Sequence, residues 1–407
     1  MAILTQVLKR MQLGKCQRVF LENLIGLILA IPGRINYLNL ERYGERSEKS
    51  YRNGFERVVP WVALNAELVS ELQNVGKMGN RLVLAMDGSF IGKAGKHTPG
   101  LGNFWDSKVG KARRGLEVHA AALIDLEHRQ AFALEAKQTP DASSKLDSRV
   151  THYAQHTVAV VTDLPPALRT QLLCVVVDGY YAKAHFVKTL RENRLHVVGK
   201  LRVDANLKYL YQGPKSKKPG RPKRFAGKVD FKDFSQWQVV DRTKIATTYA
   251  ATLYSVALQG EVKVVVICYA AMKHRKAHHE VFFSTDVSMN ALDIIACYRA
   301  RFEIEFIFRD AKQFAGLEDC QSRSTDAVAF HWNASLLTVN VARLQQRLAS
   351  SEHNPFVFSM EDDKRRSFNL LLAQHIIDSL PTTLTLHNCL PFIQNALHLG
   401  VKHTHLP

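Results

Sequence analysis

Arg81-Leu82-Val83-Leu84-Ala85-Met86-Asp87-Gly88 is the stretch on which the fold turns. A short apolar run that meets an acid and a glycine reads as a buried strand stopping at Asp87-Gly88, with its last side chain at a surface. Leu172-Leu173-Cys174-Val175-Val176-Val177, followed by Asp178-Gly179, repeats the pattern. Between the two, Leu116 to Asp125 and Gln130 to Ala136 predict strands joined near Glu127-His128, and Ser143 to Ala159 predicts a helix. Ala182 to Asn193 is helical in pattern, and His196-Val197-Val198-Gly199-Lys200 is a fifth strand. The order is strand, strand, strand, helix, strand, helix, strand. A hairpin meander feeding βαβ units implies an α/β fold, a mixed sheet with helices on its faces.

That order is also the order of the RNase H-like fold, and the flanks are of a different kind. Residues 1–75 read as helical, with one short helix over Leu38 to Gly44 and a second opening at the Ser47 N-cap and running through Glu48, Tyr51 and Phe55. Lys49, Arg52 and Arg57 on the second helix fit a helix-turn-helix DNA reader, and equally a plain helical hairpin with a solvated basic face. Residues 76–203 carry the first part of the sheet, and 204–284 read as a β-rich insertion. The insertion opens with the basic segment Gly213 to Arg224, then gives strands at Tyr249 to Leu258, Val262 to Tyr269 and Val281-Phe282-Phe283, with Gln259-Gly260 as a hairpin turn. Helix returns from Met289 through Phe314 within 285–350, the second part of the domain begun at 76–203. Residues 351–407 are helical again after a break at His353-Asn354-Pro355.

Composition narrows the partners. The 407 residues include 55 Lys or Arg and 37 Asp or Glu, and 55 − 37 leaves a net charge of +18. Such a surplus opposes compaction and favours polyanions, nucleic acid first among them. Hydrophobic residues at 46% and charged residues at 23% fit a folded globular chain rather than a disordered one. The longest apolar run, Leu24 to Ile31, is too short to span a membrane and closes at Pro32. Lys9, Arg10, Lys15 and Arg18 interrupt any signal-peptide layout. The cysteines, Cys16, Cys174, Cys268, Cys297, Cys320 and Cys389, include no C-x-x-C pair, so neither a zinc ribbon nor a disulfide framework is expected. A reducing cytoplasm is the expected location.

The chemistry concentrates at three acids. Asp87 and Asp178 each follow an apolar run, where a rigid scaffold can present a carboxylate to a cleft. Two carboxylates brought together repel unless a cation lies between them, and Mg²⁺ suits carboxylates, water and phosphate oxygens. Asp-Gly is also ordinary turn chemistry. Tyr298, Arg301, Glu305 and Lys312 lie in a window without Pro or Gly before Gly316. At about 100° per residue on a continuous helix, all four share a stripe roughly 60° wide, with Arg309 beside it. A carboxylate flanked by Arg and Lys suits work on phosphodiesters; a solvated face with an Arg301–Glu305 ion pair is the plainer alternative.

Tyr298-x2-Arg301-x3-Glu305-x6-Lys312 resembles the Y-R-E-K signature of the insertion-sequence-four type DDE transposases. Asp87-Gly88-Ser89 and Asp178-Gly179-Tyr180-Tyr181 are similar to that family's first and second aspartate motifs. The resemblance runs from about residue 80 to about 345 and includes a β-rich insertion between the second Asp and the Glu. It implies an RNase H-like catalytic domain with Asp87, Asp178 and Glu305 as catalytic, metal-binding residues for two Mg²⁺ ions, or Mn²⁺ in their place. It further implies cleavage at the inverted repeats of a transposon end, strand transfer of the 3′-hydroxyl into target DNA, and phosphate contacts from Tyr298, Arg301 and Lys312. Double-stranded DNA as partner, a homodimer joined through the C-terminal helices, and a bacterial, nucleoid-associated location follow from the same resemblance. A structure-selective nuclease on the same fold, or an inactive DNA-binding relic, stands as the alternative.

The Gly220-Arg221-Pro222 core of the basic segment resembles an AT-hook, in which Arg221 would enter a narrow minor groove. A flexible basic linker touching phosphates is the other reading. His278-His279 and the remaining histidines are expected to be surface or packing residues.

Overall fold

The computed structural model describes residues 1–95, 97–141, 146–214, 222–272, 276–351, 357–379 and 385–397. Five helices lead: α1 (Ala2–Arg10), α2 (Lys15–Ala30), α3 (Tyr37–Tyr43), α4 (Glu48–Gly54) and α5 (Trp61–Asn74). Then come β1 (Leu82–Gly92), β2 (Gly102–Asp106), β3 (Lys111–Asp125), β4 (Gln130–Gln138), α6 (Leu146–Asp163), α7 (Pro166–Thr170), β5 (Leu172–Val177), α8 (Ala184–Glu192) and β6 (Val197–Leu201). A β-rich stretch follows: β7 (Leu207–Leu210), β8 (Phe225–Lys228), β9 (Gln238–Arg242), β10 (Ala246–Ser255), β11 (Gly260–Tyr269) and β12 (His278–Ser284). The chain ends in α9 (Ala291–Ala300), α10 (Glu303–Phe314), α11 (Thr325–Ala349), α12 (Met360–Ser379) and α13 (Leu386–Leu397).

The strands form one mixed sheet, ordered β2-β3-β1-β5-β6-β12-β11-β10-β7-β8, with β4 on β3 and β9 on β10. β1 runs antiparallel to β3 and parallel to β5, and β5 runs parallel to β6. The sheet passes from β6 directly to β12 through antiparallel pairing, so the β-rich stretch adds strands to the same sheet. Helices cover the faces, as a mixed sheet with crossovers requires. No helix among the described residues is long and apolar enough to cross a membrane.

The short N-terminal helices appear where the sequence places them. The Ser47 hydroxyl accepts the backbone N–H of Ser50 and opens α4. Tyr37, Tyr51 and Phe55 turn inward, packing with Phe20 and Phe330, so this pair is joined to the main core.

β4, at one edge of the sheet, is closed by side chains of α11 rather than by another strand. Asn340 accepts from Ala133 N at 3.0 Å and donates to Ala133 O at 2.7 Å. Asn333 does the same to Ala136, at 2.8 and 2.9 Å. The spacing is set by geometry: seven helical residues rise about 10.5 Å, and three strand residues about 10 Å. Arg343 reaches Ala131 O, and Asn65 of α5 donates to Leu134 O at 3.0 Å, beside the bulge opposite Ala121/Ala122. The edge is thereby sealed against pairing with another chain.

Two expectations are corrected. The strand from Leu82 does not stop at Asp87-Gly88; it continues to Gly92 because β3 pairs with it all the way to Gly92↔Gly115. What ends at Asp87 is full burial, not the strand. Nor is Met289–Phe314 a single helix. Between α9 and α10 the bonds shorten from i→i−4 to i→i−3: Phe302 N to Arg299 O at 3.2 Å, Ile304 N to Arg301 O at 3.1 Å, Glu305 N to Phe302 O at 3.0 Å. That tight turn interrupts the helix without Pro or Gly, yet Arg301, Glu305, Arg309 and Lys312 still line one cleft, with Tyr298 against Arg301. Glu305 and Lys312, both on α10, remain two turns apart on one face.

Candidate active site

β1 pairs with β5 only as far as Ala85↔Val176, whereas on its other side it stays paired with β3. The two parallel strands therefore part just where their acids stand, and a cleft of about 440 Å³ opens there. Asp87, Gly88, Ser89, Asp178, Arg301, Glu305, Arg309 and Lys312 line it together with Ser107 and Lys108. Asp178 closes β5 and caps the next turn, its Oδ1 accepting from Tyr180 N at 2.9 Å. Glu305 enters from the first turn of α10, where the N-terminal dipole favours a carboxylate.

Arg301, at the helix break, holds the acids apart and together at once. Its guanidinium donates to Asp87 Oδ2 at 2.7 Å and to Glu305 Oε1 at 3.0 Å. It is a largely buried cation, with the side chain 14% exposed. Burial works against its charge, but Asp87, Tyr298, Glu305 and Asp178 outweigh that and raise its pKa. Its Nε is buried without a hydrogen-bond partner among the described residues.

Burial pushes the Asp87 carboxyl up to about 7; Arg301 opposes the rise, while Asp178 and Glu305 add to it. Asp178 is also raised, by burial before all else. Burial, more than mutual repulsion, is what makes both acids resist ionisation. Among the described residues no three His, Cys, Asp or Glu side chains gather closely enough to enclose a metal ion as they stand. The cleft collects the three acids; Arg301 occupies the place between two of them. Hard oxygen donors around a held cation fit Mg²⁺ or Mn²⁺ chemically.

The remaining expected residues are placed as follows. Tyr298, on α9, packs its ring 4.9 Å from that of Phe282, with the Arg301 guanidinium 6.0 Å from its centroid. Lys312 Nζ donates to Phe90 O at 2.8 Å and lies 3.2 Å from Glu318, and burial lowers its pKa against the pull of Glu318. It is anchored at the rim rather than extended toward solvent. Arg221 and the AT-hook-like core lie outside the described residues, as does the break at His353-Asn354-Pro355.

Sequence reading missed two features. One is Glu117 of β3, which receives the Tyr153 hydroxyl at 2.6 Å and lies against Gly88, where a Cβ would come within 3.1 Å of its carboxyl carbon. The other is the hairpin of β2 and β3, whose tip supplies Ser107 and Lys108 to the cleft. Its signal was available: Phe104-Trp105-Asp106-Ser107-Lys108-Val109-Gly110 couples aromatics to a turn with a terminal glycine.

Behind the cleft lies a second cluster. His119 of β3 and His156 of α6 share a hydrogen bond between their Nδ1 atoms at 2.8 Å, and His156 Nε2 lies 3.2 Å from Glu135. His152 stands one helical turn before His156. Burial lowers all three, His119 well below its ordinary range and His152 to about 4, so they pack as neutral rings.

A family model described as a transposase DDE domain matches residues 79–341. The matched span runs from just before β1 into α11 and contains every residue of the cleft described above. No curated protein matches the chain.

Proposed function

The chain belongs to the transposase DDE domain family, and from that premise we propose that it is a DNA transposase that cuts its element's ends and joins them to target DNA. The observation that carries the reading is the common cleft: Asp87, Asp178 and Glu305 line it, and a cation already sits between two of them. The strand order β4-β3-β1-β5-β6, with parallel pairing only among the last three, supports the RNase H-like assignment of the catalytic sheet.

In this reading Asp87, Asp178 and Glu305 hold the divalent ions that the family uses. When bound, those ions activate the attacking oxygen and stabilise the leaving oxygen of an in-line displacement at phosphorus. The chain's own residues do the rest. Arg301 releases Asp87 and Glu305 and turns its charge to a phosphate, a bidentate role suited to its fork and to its spare Nε. Lys312, fixed by Phe90 O and Glu318, adds positive potential at the rim. Tyr298 braces Arg301 from α9. Water is the first nucleophile and frees a 3′-hydroxyl at the element's end; that hydroxyl then attacks a target phosphodiester. Two ends handled together imply two copies of the chain, and exposed Leu372 and Ile376 on α12 are apolar surface that a second copy would cover.

The test is strand transfer. An end fragment already cut to a free 3′-hydroxyl is incubated with target plasmid and Mg²⁺. Joined product is expected. Hydrolysis without joining would assign a nuclease on this fold instead, and no nicking with either Mg²⁺ or Mn²⁺ would assign a DNA-binding relic.

A further inference from the structure

β3 is longer than the sheet it belongs to. Its residues Leu116 to Asp125 face β1, whose pairing ends at Gly92↔Gly115, and the four before it, Lys111–Arg114, pair with β2 alone. The result is a two-stranded arm standing past the end of β1. A lone hairpin is marginal in water, and this one is braced at its tip. Asp106, 4% exposed, accepts from Lys108 N at 3.0 Å and from Arg113 at 3.0 Å. Gly110, at φ +65°, donates its N–H to Asp106 O at 2.9 Å and closes the turn in a conformation that favours glycine. Phe104 is buried under the Arg149 guanidinium, 4.6 Å from its ring centroid.

The exposed residues of this braced arm have a composition that folding does not explain. Trp105 is 63% exposed, opposite only Ala112 across the ribbon. Lys111 and Arg114 have no ion-pair partner among the described residues. Arg113 and Lys108 bring the arm's cations to four, paired with Asp106 at 3.0 Å and Glu318 at 3.6 Å. A recess of about 230 Å³ lined by Trp105, Arg113 and Lys108 also contains Gly88, Ser89 and Lys312, which line the catalytic cleft too. A continuous groove therefore leads from the acids past Lys312 to the indole.

We propose that the β2–β3 arm grips the DNA strand as it leaves the cleft, with Trp105 stacking on an unpaired base, Lys108 and Arg113 in the same recess and Arg114 on the Trp105 face of the ribbon following the phosphates. An exposed aromatic flanked by cations along a groove suits single-stranded nucleic acid, because every base has a π-face and every linkage a charge. The inference rests on the DNA-cutting reading above and adds where the strand goes and in what state.

The protein carries its own probe. Of the 4 tryptophans, Trp61, Trp237 and Trp332 are buried at 7, 6 and 0% exposure, leaving Trp105 as the one open to solvent. Acrylamide quenching of the intrinsic fluorescence therefore reports the arm, and anisotropy of a labelled oligonucleotide reports binding in the same sample. A duplex ending in a single-stranded overhang is expected to cut the quenching to the level of the Trp105→Phe variant, and a blunt duplex of equal length to protect it less. Trp105→Ala should weaken overhang binding about tenfold. Arg114→Ala should weaken overhang and blunt DNA alike and lower the salt slope by about one. DNA bound with quenching unchanged would overturn the arm's role while leaving the cleft's function standing. Failure to bind DNA of either kind would overturn both.

Discussion

The cleft at Asp87 and the seam between α11 and β4 both bury polar groups, and they do so to opposite ends. In the seam the asparagines are matched: Asn340 and Asn333 complete the edge of β4 and Asn65 takes the carbonyl left open at the bulge. A matched network of this kind specifies one docking of helix on sheet and has no reason to change. In the cleft the matching is provisional. Three acids face one guanidinium, Asp87 is pushed up to about 7, and the Arg301 Nε is left over. The matched asparagines fix one docking; the split between β1 and β5, where a spare guanidinium nitrogen meets raised carboxyls, is open to a ligand.

The comparison is broken most severely by removing an acid. Asp87→Ala, Asp178→Ala and Glu305→Ala should each lower end cleavage by about 10³-fold or more while leaving the melting temperature close to that of the unchanged chain. An equal loss of cleavage and of fold would place these residues with the seam instead. Asn340→Ala should show the reverse pattern. It strands Ala133 N, Ala133 O and the Asn65 carbonyl in the core, which costs about 2–3 kcal/mol in chemical denaturation, with cleavage per folded molecule unchanged.

A smaller effect separates the cleft from the histidine cluster by sign. His119, His152 and His156 stay neutral when folded and take up protons below about 6.5 when unfolded. Their contribution to stability is therefore lost as pH falls from about 6.5 toward 4. Asp87 works the other way: its folded carboxyl keeps a proton up to about 7, and the unfolded one releases it near 3.9. Its contribution is full at low pH and is lost as pH rises through that window. Denaturation curves across the window should show Asp87→Asn flattening the loss on the rising side and His152→Gln softening the loss on the acid side. Identical profiles for both variants would remove the distinction.

Much of this could be read in the chain because it rests on local pattern. Leu172 to Val177 is apolar without interruption because β5 is flanked on both sides by parallel strands, and the acid after it marks the strand's end. The same logic misjudged Leu82–Gly92, since hydrophobicity follows burial and β1 outruns its buried half. The break at Arg301-Phe302 carries no Pro or Gly; it depends on a switch of hydrogen-bond step that side-chain identity does not record. Asn333 and Asn340 look like polar faults in an apolar helix until β4 is laid beside them. Tyr298, Arg301, Glu305 and Lys312 were legible as one fixed spacing, but Arg301's placement between Asp87 and Glu305 required two distant segments to meet.

The central claim, that Asp87, Asp178 and Glu305 together take up divalent cation, is open to direct measurement without DNA or turnover. Mn²⁺ is titrated into the full chain and into each single alanine variant, and free Mn²⁺ is followed by electron paramagnetic resonance. The account predicts saturable binding by the unchanged protein, weakened by at least about tenfold in each of the three variants. Uptake that is the same in all four proteins would contradict it.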